Sequence, residues 1–185
     1  MALLAHLIPL ANALPSLRIM PLGDSITKGS LSTGTVGYRA PLRQKLVGLG
    51  ASVDMIGSLK HGNMIDSDHE GHSGETLVDI SKYWKLSIKA KPNVVLVHAG
   101  TNNMDLNEEL NLCIGYMQDI IDGIFQEVPG VTILVAPVIW ANKPAMQANT
   151  DVFNPQVEDL IRRGRNRGTA FFQYLSISLS PTSRT

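Results

Sequence analysis

Four stretches of the chain string apolar and β-branched residues together between turn-forming ends: Leu17 to Leu22, Ser52 to Ile56, Asn93 to Ala99 and Val131 to Pro137. A weaker one covers Thr169 to Ile177. Runs of this kind predict strands. Between them, apolar residues recur three and four apart over Tyr38 to Leu49, Thr76 to Ile88, Leu106 to Val128 and Thr150 to Arg165, the spacing of helices with one buried face. The predicted order is βαβαβαβαβ. Val94-Val95-Leu96-Val97 is apolar throughout, which suits a parallel strand buried on both faces and joined to its neighbours by helical crossovers. The expected fold class is α/β, a three-layer, doubly wound domain around a five-stranded parallel sheet of the flavodoxin-like kind. Ligands of such sheets bind beyond the carboxyl ends of the strands, so function is sought in the residues that follow each strand.

Length and composition narrow the picture. At 185 residues one domain is expected, spanning residues 14–185 after a leader of 13. Sixteen Lys and Arg balance sixteen Asp and Glu, and no long basic run occurs, so no nucleic-acid partner is expected. A single cysteine, Cys113, excludes an internal disulfide framework and a cysteine-rich zinc site. The first residues are apolar and end in Ala11-Asn12-Ala13, the small-x-small form of a signal peptidase site. They are read as a signal peptide, with an extracellular protein as the consequence; the alternative is an apolar leader packed loosely on the domain. No segment has the roughly 20 apolar residues that span a bilayer, so no membrane partner is expected.

The strand ends carry the chemistry. Gly23-Asp24-Ser25-Ile26-Thr27 follows the first strand as a tight turn that lifts Ser25 to the sheet edge, where a serine serves either as a nucleophile or as a helix cap. Asp24 is expected to shape that turn and stands near enough to meet a substrate. After the second strand, Glu70-Gly71-His72-Ser73-Gly74-Glu75-Thr76 places a glycine at a helix entrance, with a backbone N–H free to point into the same edge. After the third, Gly100-Thr101-Asn102-Asn103 offers a side-chain amide. Backbone N–H groups and an Asn amide converging beside a serine form an oxyanion hole, which stabilises the charge that develops on a carbonyl oxygen in acyl transfer.

With Ser25, Gly74 and Asn102 each following its own strand, the chain resembles the SGNH, or GDSL-type, hydrolases from about Arg18 to about Pro137. The resemblance implies Ser25 as nucleophile and the Ser25 N–H, Gly74 N–H and Asn102 amide as the oxyanion hole, with no cofactor. Where the family often has Asp, this chain has Asn103. Gly37-Tyr38-Arg39, Asp54-Met55-Ile56-Gly57-Ser58 and Asp66 to Gly74 look most like its acetylxylan-esterase branch, carbohydrate esterase family 3. That finer likeness implies a small ester or acetylated polysaccharide as substrate.

A serine hydroxyl needs a base and a carboxylate that orients it. The family supplies both from an Asp-x-x-His block after the fifth strand, whereas the last histidine here is His98 and residues 171–185 contain neither Asp nor His. The family's closing helix is missing too, so part of one sheet face is expected to lie uncovered and to favour self-association. Asp66-Ser67-Asp68-His69 has the block's spacing in the wrong place and is read as a decoy. His72 is expected to orient its loop or touch substrate, and His98 to be a hydrogen-bonded core histidine. His69 and His72 with Asp66 or Asp68 make a poor metal set, and no metal is expected.

The expected function is therefore an ester hydrolase removing O-acetyl groups from carbohydrate, impaired as the sequence stands. Its ending comes either from an aberrant gene model, after about residue 168, or from a genuine protein that keeps a carbohydrate cleft without the chemistry. The competing reading is a catalytically silent carbohydrate-binding protein, with Trp140 beyond the fourth strand either stacking on a sugar or covering the core edge. A nucleotide-binding module is disfavoured, because Gly23 to Gly29 with its single Lys28 is a poor phosphate loop.

Overall fold

A computed structural model describes residues 16–165 and 172–174. The leader expected at 1–13 and most of the chain after residue 165 lie outside the described residues. The strands are β1 (Leu17–Gly23), β2 (Val53–Met55), β3 (Leu59–Lys60), β4 (Asp68–Gly71), β5 (Val94–His98), β6 (Thr132–Val135) and β7 (Phe172–Tyr174). The helices are α1 (Ser25–Lys28), α2 (Arg39–Gly48), α3 (Leu77–Ser87), α4 (Thr101–Leu106), α5 (Cys113–Glu127) and α6 (Pro144–Arg165).

β1 is central. Along one edge it pairs in parallel with β5, which pairs with β6, which pairs with β7. Its other edge is divided: β2 pairs with Leu17 to Ile19, and β4 with Leu22 and Gly23. All these pairings are parallel; only β3, beside β4, runs antiparallel. With the five strands read in the sequence numbered in chain order, the sheet runs 2-1-3-4-5, a doubly wound α/β arrangement whose strand order reverses between β1 and β5.

The two faces of the sheet are covered unequally. Met20, Leu22, Val95, Val97, Ile133 and Val135 point to one face and are buried under α3, α5 and α6 through Ile80, Trp84, Ile120, Ile124, Phe153 and Val157. The other face holds a smaller cluster, Ile19, Ala51, Val53 and Met55, with Leu46 of α2 packed on it. Further along that face Val94, Leu96, Thr132 and Leu134 are only half-buried, although their neighbours Val95, Val97, Ile133 and Val135 are fully buried.

Two helices differ from expectation. The predicted helix from Leu106 to Val128 is interrupted, because α4 closes on Asn107 with φ 59° and α5 starts only at Cys113. Asn is among the few residues that adopt this left-handed conformation without large strain, so it stops a helix. α6 begins at Pro144, six residues before its expected start, and a proline in the first turn costs no hydrogen bond. The short β3 and β4 were not read as strands, since Leu-Lys and Asp-His-Glu-Gly lack the apolar alternation that marks one.

Candidate active site

β4, β1 and β5 are neighbours in the sheet, and the residues singled out in the sequence follow their carboxyl ends. At the first of these ends Gly23 makes the turn possible. A Cβ there would lie 2.0 Å from the carbonyl oxygen of His98, so no other residue lets β1 and β5 approach this closely. Asp24 then caps α1, its Oδ1 accepting the Ile26 N–H at 2.9 Å. Asp24 is completely buried. It shapes the turn, as expected, and does not present itself to a substrate in the cleft. Ser25 opens α1 half-exposed, and its hydroxyl has no hydrogen-bond partner among the described residues.

The second strand end belongs to β4, which takes over the edge of β1 where β2 stops. The His72 N–H donates to the Gly23 carbonyl at 2.8 Å, and the hydroxyls of Ser30 and Ser73 stand 3.3 Å apart. These bonds lay the Gly74 loop against the segment that carries Ser25. Gly74 itself is exposed, with φ 86°, the left-handed conformation that favours glycine. At the third end, the Asn102 side-chain amide donates to the Glu75 carbonyl at 2.7 Å. An Asn amide has two N–H groups, so this bond leaves one for a ligand.

Neighbouring residues hold these groups in place. Asn103 is fully buried; its Oδ1 accepts the Leu77 N–H at the start of α3 at 2.9 Å, and its Nδ2 donates to the Glu108 carbonyl at 3.1 Å. A carboxylate could make only the first bond. Glu70, also fully buried, accepts from Ser58 N and Oγ and from the Ser87 hydroxyl, and lies 2.7 Å from His72 Nε2. Burial pushes the Glu70 carboxyl up, but the bonds from His72, Ser87 and Ser58 outweigh it and hold the carboxyl below its ordinary value. The His72 ring is stacked on Tyr83 with centroids 4.0 Å apart. His72 is thus clamped by ring and backbone and orients the loop that carries Gly74. Nothing in a lone Glu announces burial in the sequence; the one signal for Glu70 was a histidine, His72, two residues on, just past the end of β4.

His69 and His98 do not share that role. His69 is buried and accepts the Gly71 N–H on Nδ1 at 2.9 Å, and Asp66 of the decoy block binds Arg43 and the Met55 N–H. Burial and the nearby Arg39 push His69 down to about 4. His98 is buried as expected but not hydrogen-bonded: neither ring nitrogen has a partner among the described residues. Burial lowers its pKa, and Asp24 works against that. The Asp24 Oδ2 is likewise buried without a partner. Among the described residues no three His, Cys, Asp or Glu side chains group as a metal site, and no helix is long and apolar enough to cross a membrane.

Trp140 stands on the loop after β6, 66% exposed, so it does not cover the core edge. Its loop is fastened to α6 on both sides. The Asn154 carboxamide takes both the N–H and the C=O of Val138 at 2.9 Å, and Gln147 accepts the Ala141 N–H at 2.8 Å.

Known proteins share this fold and part of this sequence. The structure resembles a family 3 carbohydrate esterase from Clostridium thermocellum with a TM-score of 0.75 and 31% identity, over 90% of this chain and 82% of that one. A family 3 carbohydrate esterase from Talaromyces cellulolyticus shares the fold with a TM-score of 0.63 and 24% identity, over 77% of this chain and 73% of that one. A multidomain esterase from Ruminococcus flavefaciens is 28% identical, over 65% of this chain, which spans only 18% of that protein's length. Residues 22–177 match the model of the GDSL-like lipase/acylhydrolase family, and the chain belongs to that family of carboxylic ester hydrolases.

Proposed function

We propose that the chain is a serine hydrolase that removes O-acetyl groups from carbohydrate of the acetylxylan type. The observation that carries the reading is the unengaged Ser25 hydroxyl at the head of a one-turn helix, beside a left-handed Gly74 whose loop is tied to Asn102. The Ser25 hydroxyl attacks the acetyl carbonyl carbon. The carbonyl oxygen takes the charge and is held by the Ser25 and Gly74 N–H groups and the free Asn102 N–H. The bond from the acetyl carbon to the sugar oxygen breaks, that oxygen leaves as a hydroxyl with the proton Ser25 gave up, relayed by water, and a second water cleaves the acetyl–Ser25 ester to acetic acid and free Ser25. The sugar chain as substrate is supported by the family 3 relative and by Trp140, a fixed, exposed aromatic face of the kind on which sugar rings stack. A groove of about 350 Å³ bordered by Lys28, His72, Ser73 and Glu75 opens beside the Gly74 loop. An extracellular site of action is the part of this proposal that rests on the apolar residues 1–13.

The sequence as it stands turns over slowly in this reading, because no histidine among the described residues bonds to the Ser25 hydroxyl and no Asp-x-x-His block follows His98. Loss of the base from a serine triad lowers turnover by about a millionfold, and the oxyanion hole with binding keeps about a thousandfold over water. The test is hydrolysis of p-nitrophenyl acetate beside Ser25→Ala. A weak rate that vanishes in the variant is expected; a rate indifferent to Ser25 sinks the nucleophile assignment, and a fast Ser25-dependent rate sinks the impairment.

The exposed Trp140 together with the unpartnered Ser25 also favours a second reading, a carbohydrate-binding protein without chemistry. Binding of acetylated xylo-oligosaccharides with no acetate released would select it.

A further inference from the structure

Arg39, the first residue of α2, is fully buried, and no carboxylate partners it among the described residues. A buried charge is tolerated only where hydrogen bonds replace its hydration. Here the bonds all go to main-chain carbonyls: Nε donates to Thr27 at 2.9 Å, Nη2 to Lys28 and His61 at 2.8 Å each, and Nη1 to Ser67 at 3.0 Å.

Thr27 and Lys28 are the last two residues of α1, the helix that begins with Ser25. A helix of four residues is far below the length at which one sustains itself. Its N-terminus is held by Asp24, and its last carbonyls are the orphan acceptors at which a cation is favourable. His61 and Ser67 flank the loop between β3 and β4, and β4 leads directly into the Gly74 loop. One planar side chain therefore joins the end of the Ser25 helix to the base of the strand that delivers Gly74.

We propose that Arg39 is a positioning residue for the nucleophile: it fixes α1 against the β3–β4 loop so that Ser25 and the Gly74 N–H keep their mutual register. Lysine does not replace it, because an ammonium is a point charge without the planar fork that reaches separated carbonyls at once. This inference rests on Ser25 being the nucleophile, as proposed above.

The test compares the full chain with Arg39→Lys by two readouts: the rate at which a fluorophosphonate labels Ser25, and hydrogen exchange of the Lys28 and Gly29 amides, which bond to the carbonyls of Asp24 and Ser25. A displacement of about 1 Å costs about a hundredfold in rate, so labelling is expected to fall by about that factor. Exchange should quicken at Lys28 and Gly29 and stay unchanged in β1 and β5. Either readout remaining at the wild-type value overturns the proposal. If the wild-type chain is not labelled at all, the nucleophile assignment fails, and the role given to Arg39 falls with it whatever the exchange shows. Should Arg39→Lys not fold, Arg39→Ala with millimolar guanidinium ion replaces it: recovery of labelling supports the assignment, and recovery of the fold without labelling overturns it.

Discussion

Asn102 reaches across from the first turn of α4 to the carbonyl of Glu75, the residue after Gly74, and the bond is 2.7 Å long. One side chain thus supplies a candidate donor and fastens the loop that carries another. Asn102→Ala is expected to lower kcat on p-nitrophenyl acetate by about a hundred- to a thousandfold, the usual effect of deleting an oxyanion-hole donor. Asn102→Asp, which has no N–H to give, should do no better. Steady-state kinetics of the two variants check this, and an unchanged kcat in either removes Asn102 from the site.

Asn103 predicts a different behaviour one position on. Asn103→Ala strands the Leu77 N–H and the Glu108 carbonyl in the interior and should cost about 1 to 3 kcal/mol. Asn103→Asp, with its carboxyl protonated, keeps the acceptor for the N-terminus of α3 and an O–H for the Glu108 carbonyl, so its cost should be clearly smaller at acid pH and should grow as the buried carboxyl ionises. Urea unfolding of both at acid pH gives the comparison; equal losses would show that the cap on α3 is not what Asn103 contributes.

Acid should weaken the fold through His69. Burial, then the charge of Arg39, push it down to about 4 from its ordinary 6.5. The unfolded chain takes up this proton near 6.5 while the folded chain resists until about 4. The stability involved is complete above 6.5 and is lost as pH falls toward 4, at most about 3 kcal/mol. His69→Asn retains an acceptor for the Gly71 N–H and carries no titrating group. Its urea midpoint should therefore fall less steeply between pH 6.5 and 4 than that of the wild type, and parallel curves would dismiss His69 as the cause.

Trp140→Ala tests the sugar platform. The side chain is exposed and its loop is held by Asn154 and Gln147, so the variant should fold normally. Affinity for an acetylated xylo-oligosaccharide should fall by about 1 to 2 kcal/mol, a few- to thirtyfold, while small aryl acetates react as before. Unaltered oligosaccharide affinity in calorimetry would take Trp140 out of the binding surface.

The sheet and the placing of Ser25, Gly74 and Asn102 were legible because they depend on local signals. Apolar runs announce buried strands, and glycines mark turns that must bend or approach closely, as at Gly23. What escaped depends on contacts between distant segments. Glu70 is an ordinary acidic residue until Ser58, Ser87 and His72 surround it, and Asn103 caps a helix 26 residues away. His98 read as a satisfied core residue because its apolar strand is visible in sequence, whereas its two unpartnered nitrogens are not. The break between α4 and α5 rests on the backbone angles at Asn107, which periodicity does not encode.

The divided edge of β1 separates two tasks that most strand pairs perform together. β2 completes the hydrophobic cluster and β4 delivers the Gly74 loop, each against its own half of one strand. The segment between them is tied to both halves: Asp66 accepts the Met55 N–H of β2, Ser58 donates to Glu70 of β4, and the His61 and Ser67 carbonyls hold Arg39, so a change in its length would reach either side. What is left open to redesign in the groove by the Gly74 loop is therefore its exposed side chains, Leu59 and Lys60 of β3, with the backbone that carries them kept as it is.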